Sequence, residues 1–294
     1  MRGRALRAAV LSALPAAGLA VALAQHPNSI SGPSQPQVII DLADGDMSDT
    51  SLGVMLDRVI LDIAPMVADR LLPPRRLQLA NEQLAGRRLR DALTGDMLQN
   101  FALFLYVSKA AHGPLAQRMY AFENAGRNLR LLYDWPVSTG RETIESNAVG
   151  RKLPTFTPAG YYQLDRARFF PHHRSVQWGE PMPYAMFFNR IQNGSKTGLA
   201  IHAASGSEVA RLGTRASAGC VRLAPEDARL LFNLVRTKYE GPVPDFAFDS
   251  RTGTMANNGT LMRDAHGRLK FGLGYKVLVV IEDEGGENTV AAML

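Results

Sequence analysis

The spacing of apolar residues changes several times along the chain, and each change marks a region. Residues 8–24, AAVLSALPAAGLAVALA, form a short and almost unbroken apolar run. Residues 25–45 (QHPNSISGPSQPQVIIDLADG) are rich in Pro, Ser and Gln, and read as a flexible linker. Over 49–72, Leu52, Met55, Val59, Ile63, Met66 and Val67 recur at three- and four-residue spacing, which predicts an amphipathic helix. Asp49 or Thr50 can cap it, Pro65 kinks it, and Pro73-Pro74 stop it. A second, basic helix is predicted from Arg75 to Leu93, completing a helical extension over 46–96.

From Met97 the period shortens to β-rich runs separated by turns. Phe101–Val107, Gln117–Phe122, Arg130–Val137, Gly160–Leu164, Tyr184–Phe188 and Leu199–Ala203 are predicted strands, and 276–281 (KVLVVI) is the last. One helix stands among them. Ala224-Pro225-Glu226-Asp227 starts it with Pro early and acids in the first turn, and Leu230, Leu231, Leu234 and Val235 form its apolar face. A loop region follows over 241–265. The β-rich domain is thus bounded at 97–284, with a tail over 285–294, and no internal repeat is present.

Composition narrows the class. The chain has 294 residues, of which 46% are hydrophobic and 20% charged, enough to bury a sizeable core and unlike a disordered or fibrous chain. No later apolar run approaches the length of a membrane span, which excludes a polytopic membrane protein. Arg2, Arg4 and Arg7 before the first apolar run, and the small-x-small Ala22-Leu23-Ala24 after it, predict a signal peptide over 1–24 and export to the periplasm or envelope. Retention of the segment as an anchor is the alternative. Removing its three arginines lowers the formal charge from +6 to +3, too little and too scattered for a nucleic-acid partner. A single cysteine excludes an internal disulfide and a zinc site built on paired cysteines. In an exported chain a lone thiol is either a small buried hydrophobe or a functional group, so its neighbourhood decides.

That neighbourhood is LAIHAASGSEVARLGTRASAGCVRL, residues 199–223. His202 ends an apolar strand, and Cys220 follows eighteen residues later in a tight Ser217-Ala218-Gly219-Cys220 turn. A thiol becomes a nucleophile near neutral pH when a base or a positive field favours the thiolate, and imidazole supplies either. Gly219 leaves room for a substrate, and main-chain N–H groups around Cys220 can face a developing oxyanion. Arg222 can raise the local potential or bind a carboxylate. Cysteine nucleophile catalysis and the bland reading remain open on this chemistry.

His, fourteen residues, then Ser-x-Gly-Cys-Val-Arg resembles the signature of the YkuD-type L,D-transpeptidase family. Leu212-Gly213 resembles its LG, Val137-Ser138-Thr139-Gly140 its strand-ending VSTG, Thr157-Pro158-Ala159-Gly160-Tyr161 its TPxG segment, and Gly198–His202 its GxAIH strand. The resemblance covers about 98–283. It implies a mainly β, sandwich-like catalytic domain with one helix after the catalytic turn, here preceded by the helical extension. It implies an enzyme that acts on peptidoglycan stem peptides and needs no cofactor. Cys220 would attack the carbonyl between an L-centre diamino acid and a terminal D-alanine, and the thioester would pass to an amine or to water. His202 would be the base, oriented by the main chain near Ala203. Backbone N–H groups of Gly219 and Cys220 would form the oxyanion hole, Ser217 would shape the turn, and Arg222 would order the loop or hold a substrate carboxylate. Ala218 stands where the family most often has histidine.

Several residues carry competing readings. Adjacent His172 and His173 point to opposite sides of an extended chain, which is poor metal geometry, so they read as an ordinary loop or a cleft wall; no metal is expected. Tyr184 is a candidate substrate contact or a packed strand aromatic. The same site with water as acceptor is a carboxypeptidase or endopeptidase. A non-catalytic wall-binding scaffold is the alternative of a different class, favoured only by Ala218. Expected partners are stem peptides and, as an acceptor, an envelope protein.

Overall fold

A computed structural model describes residues 18–24 and 37–43 as backbone strands, and the chain over 74–126 and 128–285. The chain divides into two units, Met1–Met66 and Val67–Leu294. In the first, strands Gly18–Ala24 and Gln37–Ala43 pair antiparallel from Gly18↔Ala43 to Ala24↔Gln37. The second of these falls inside the expected linker, where 38–40 (VII) supply β-branched residues that favour an extended pair. The helix expected over 49–72 and the last nine residues of the tail lie outside the described residues.

The second unit begins with helices α1 (Pro74–Ala92) and α2 (Gly95–Asn100). The Thr94 hydroxyl caps α2 by accepting the Met97 N–H at 3.3 Å. Eight strands follow in one mixed sheet: β1 (Leu103–Ser108), β2 (Arg118–Ala125), β3 (Asn128–Pro136), β4 (Gly160–Phe170), β5 (Ala185–Phe188), β6 (Ala200–Ala203), β7 (Val221–Leu223) and β8 (Val277–Glu282). Their order is β7-β6-β5-β4-β8-β1-β2-β3. The β6–β7 and β8–β1 pairs are parallel and the others antiparallel.

The centre of the sheet is apolar on both faces, as the sequences LFLYVS and VLVVIE require. Leu103, Leu105, Val107, Val277, Val279 and Ile281 face one core, which also takes the strands at the β7 end of the sheet. Phe104, Tyr106, Leu278 and Val280 face another, filled by Leu84, Ala85 and Leu89 of α1 and Met97 of α2. Helix α1 therefore covers one face of the sheet, because a sheet apolar on both sides needs a layer on each. The first core is closed by helix α3 (Pro225–Lys238), which buries Ala228, Leu231, Phe232 and Val235 while Leu230 turns outward. A ribbon of Glu240–Pro244 with Phe271–Tyr275 occupies part of the expected loop region, its Gly and Pro residues having hidden it in the sequence.

The two edges of this sheet meet. Ser138, just past β3, bridges to Arg222 in β7 through two hydrogen bonds, Ser138 N–H to Arg222 O at 3.0 Å and the reverse at 2.9 Å. The sheet thus folds over its first core into a sandwich-like body. Its seam runs through the Ser217–Cys220 turn.

Candidate active site at the seam of the sheet

Alternation along the short strands at the β7 end sorts their side chains onto two faces. Met186, Phe188, Ile201, Ala203, Val221 and Leu223 enter the large core. Ala185, Phe187 and Ala200 face the other way into a small apolar cluster that Cys220 packs against. His202 and Arg222 share that second face, because they are one residue out of step with the core positions. The parallel register sets His202 beside Arg222, and Cys220 immediately precedes the Ile201↔Val221 pair. With strands about 4.8 Å apart and about 3.3 Å per residue, the Cα atoms of His202 and Cys220 stand roughly 8 Å apart, a gap that their side chains span from the same face.

The His202 ring is fixed by its own strand. Nδ1 lies 2.8 Å from the Ala203 carbonyl oxygen, and a carbonyl only accepts. The proton of the neutral ring is therefore on Nδ1, and Nε2 carries the lone pair. Ala203 is in turn held by its N–H, which donates to Pro183 O at 2.8 Å. Burial pulls the His202 pKa down from 6.5 to about 4, opposed by the Ala203 carbonyl and helped by the positive charge of Arg222. Burial likewise pushes the Cys220 thiol up, with the Ala200 backbone N–H and Arg222 opposing it. The half-buried thiol lies 3.7 Å from Gly198 O. At neutral pH the pair therefore rests as imidazole and thiol. The arrangement suits general-base activation of the thiol when substrate arrives.

The turn is clamped from three sides. Ser217 Oγ donates to Cys220 O at 2.5 Å and accepts the Gly219 N–H at 3.0 Å. Gly219 has φ of +114°, and a Cβ there would sit 2.8 Å from Phe156 O, so only glycine fits. The Thr157 hydroxyl links two segments, donating to Gly219 O at 2.7 Å and accepting the Gly140 N–H at 2.8 Å. The VSTG segment supplies the third side: Ser217 N–H donates to Thr139 O, and Arg141 N–H donates to Ser217 O. Behind it, buried Gln117 holds Thr139 through side-chain bonds in both directions. Two of the motif segments noted in the sequence thus serve to hold the cysteine turn.

One expectation is corrected, and of the two readings given for Arg222 and for Tyr184 the structure favours one each. The Gly219 N–H is taken by Ser217 Oγ, so it is not a free oxyanion donor. Arg222 ion-pairs with Glu208 in the Gly206–Arg211 turn and donates to Ala216 O at 3.4 Å, so it orders the loop between His202 and Cys220. Tyr184 lies on the face opposite Cys220, its ring edge-on to Phe232 of α3 at 5.7 Å. Its backbone φ of +54° ends the preceding loop and starts the alternation that sends Ala185 toward the cysteine. Glu208, Gln117 and Thr157 had no assigned role in the sequence reading. A polar residue between His202 and Cys220 was the available signal for Glu208; nothing local marked Gln117. Among the described residues no group of three or more His, Cys, Asp or Glu is placed to hold a metal ion.

No curated protein sequence matches the chain. Among solved structures, an L,D-transpeptidase of Xylanimonas cellulosilytica is 17% identical, with a TM-score of 0.36 over 62% of this chain and 61% of that one. An L,D-transpeptidase of Mycobacterium smegmatis is 11% identical, with a TM-score of 0.36 over 62% and 59%. L,D-transpeptidase 3 of Mycobacterium tuberculosis, in complex with a faropenem-derived adduct, is 15% identical, with a TM-score of 0.33 over 62% and 60%. The chain thus spans about three fifths of the length of the structures it matches. The family model of the YkuD L,D-transpeptidase catalytic domain matches residues 105–259, which takes in most of β1, the VSTG and TPxG segments, the His202–Cys220 pair and α3. The chain belongs to the YkuD family of L,D-transpeptidase catalytic domains.

Proposed function

We propose that the chain is an exported cysteine L,D-transpeptidase that remodels peptidoglycan in the periplasm or envelope. The observation that carries the reading is the His202 ring, tautomerically fixed by Ala203 O and sharing a face of adjacent parallel strands with Cys220. His202 Nε2 takes the thiol proton as Sγ attacks the carbonyl of the diamino acid that precedes the terminal D-alanine. The Cys220 N–H faces the oxyanion of the tetrahedral intermediate, in the role left open by the engaged Gly219 N–H. Collapse breaks the peptide bond, and the proton on His202 leaves with the D-alanine amine. An amine then attacks the thioester, His202 accepts its proton, and the acyl group moves to a second stem peptide or an envelope protein, restoring the thiol.

The test is intact mass of the protein after incubation with a carbapenem, whose ring opens onto a nucleophilic cysteine, alongside release of D-alanine from a tetrapeptide stem. The expected result is one adduct and D-alanine release in the native protein, and neither in Cys220→Ala. D-alanine release that survives Cys220→Ala overturns the reading. Absence of both adduct and release, with a thiol that titrates once unfolded, moves the non-catalytic wall-binding scaffold to the front.

A further inference from the structure

The face that carries the catalytic pair continues across the sheet. Phe187 in β5 pairs with Ala200 in β6, and Ala200 is the position that Cys220 adjoins from β7. Cys220, Ala200 and Phe187 therefore form one row, with the alanine methyl as a low floor between two walls. His173 stands at the far end of that row. Its ring meets Phe187 edge-on at 5.1 Å and stacks on Phe170 at 5.2 Å. Its backbone is held as well, because the Met182 N–H donates to its carbonyl at 2.8 Å. His172 is exposed and His173 half-buried, so the two side chains part as an extended chain requires.

The two imidazoles near the cysteine differ in their free valences. His202 Nδ1 is committed to Ala203 O. Neither ring nitrogen of His173 has a hydrogen-bond partner among the described residues. An imidazole keeps at least one N–H donor in either charge state. Arg168 also approaches, its guanidinium 4.8 Å from the Phe187 ring centre, but its nitrogens are taken by Asp165, Thr197 O and Phe188 O. His173 is thus a polar group in the wall that is free to meet a ligand.

We propose that His173 is a substrate-binding residue that forms the far rim of the Cys220 cleft and donates a hydrogen bond to a carboxylate near the attacked carbonyl. The inference rests on the reading of the chain as an acyltransferase of stem peptides. Two strand spacings, about 10 Å, separate the backbone at Cys220 from that at Phe187, and both rims send side chains inward. A peptide advances about 3.3–3.6 Å per residue, so the carboxylate lies within one or two residues of the scissile bond. Stem tetrapeptides hold more than one carboxylate in that range, the terminal one and those on the acidic and diamino residues.

The test uses the Cys220→Ala protein, which binds without turnover, and a set of tetrapeptides in which one carboxylate at a time is amidated. Adding His173→Ala is expected to weaken binding of the unmodified tetrapeptide about ten- to hundredfold, the loss of one hydrogen bond to a charged group. For one amidated peptide that loss should shrink to less than threefold, which identifies the carboxylate. His173→Gln, which keeps a donor, should recover part of the affinity. Equal weakening toward every peptide would mean that His173 only packs the wall, and unchanged affinity, or no binding by either protein, would likewise overturn the proposal. D-alanine release by the native protein is read separately, so failure of the catalytic reading is distinguishable from failure of this one.

Discussion

The two faces of β5, β6 and β7 belong to the same three short strands and differ in almost everything else. One face, with Met186, Ile201, Val221 and Leu223, is buried under α3 and carries no polar side chain. The other mixes a small apolar cluster with His202, Arg222 and the thiol of Cys220. The first resembles any β core, where the free energy comes from area removed from water. On the second, each polar group has a fixed partner: Ala203 O for His202 and Glu208 for Arg222. Alternation keeps the two tasks one residue apart, so stability and chemistry can be altered separately.

The largest expected effect breaks the chemical face alone. His202→Ala should lower the rate of Cys220 acylation by a carbapenem about 10²–10⁴-fold while the folded signal in circular dichroism is kept. A change below tenfold would mean that the thiol does not depend on this imidazole. Leu223→Ala addresses the opposite face. It should cost about 2–5 kcal/mol in urea unfolding, with acylation of the remaining folded protein within a few-fold of native.

The pH dependence of stability links the faces. The folded pKa of His202, about 4, lies below its ordinary value of 6.5, so the unfolded chain binds a proton that the folded chain refuses. This contribution is fully present above pH 6.5 and is lost as pH falls toward 4, about 3 kcal/mol in all. His202→Asn should therefore flatten the stability profile between those values; an unchanged slope would assign it to carboxylates instead. Thr157→Val removes the hydroxyl between Gly140 N–H and Gly219 O, and should cost about 1–3 kcal/mol and slow acylation. Tyr184→Phe should be the mildest, within about 0.5 kcal/mol of native and neutral in acylation, since its ring packs on Phe232 away from the cysteine.

Much of this was legible along the chain because local pattern and local geometry coincide. Strands β1, β6 and β8 follow from short apolar runs, β-branched in β8, and α3 from its Pro and acidic first turn. His202 and Cys220 stand out because the chain has a single cysteine and a motif that sets one histidine eighteen residues before it. What the sequence leaves open shares a cause. A sequence cannot say that Ser217 Oγ reaches the Gly219 N–H before an oxyanion does. Tyr184 carries two readings in the sequence because its face depends on a left-handed backbone step. Helix α1 reads as an extension packed on the next domain, and its Leu84 and Leu89 fill a core whose other half lies in β1 and β8.

By itself the sequence determined the β-rich class, the family motifs, and the pairing of one histidine with the one cysteine. Those features rest on residue type and on short motifs read along the chain, within each of which the backbone allows few conformations. Only the tertiary structure decided what surrounds the pair. The meeting of Ser138 with Arg222, the reach of Thr157 to Gly140 and Gly219, and the approach of His173 to Phe187 all join segments distant along the chain. Such contacts depend on how the sheet curls and where its edges close, and no local spacing encodes that closure.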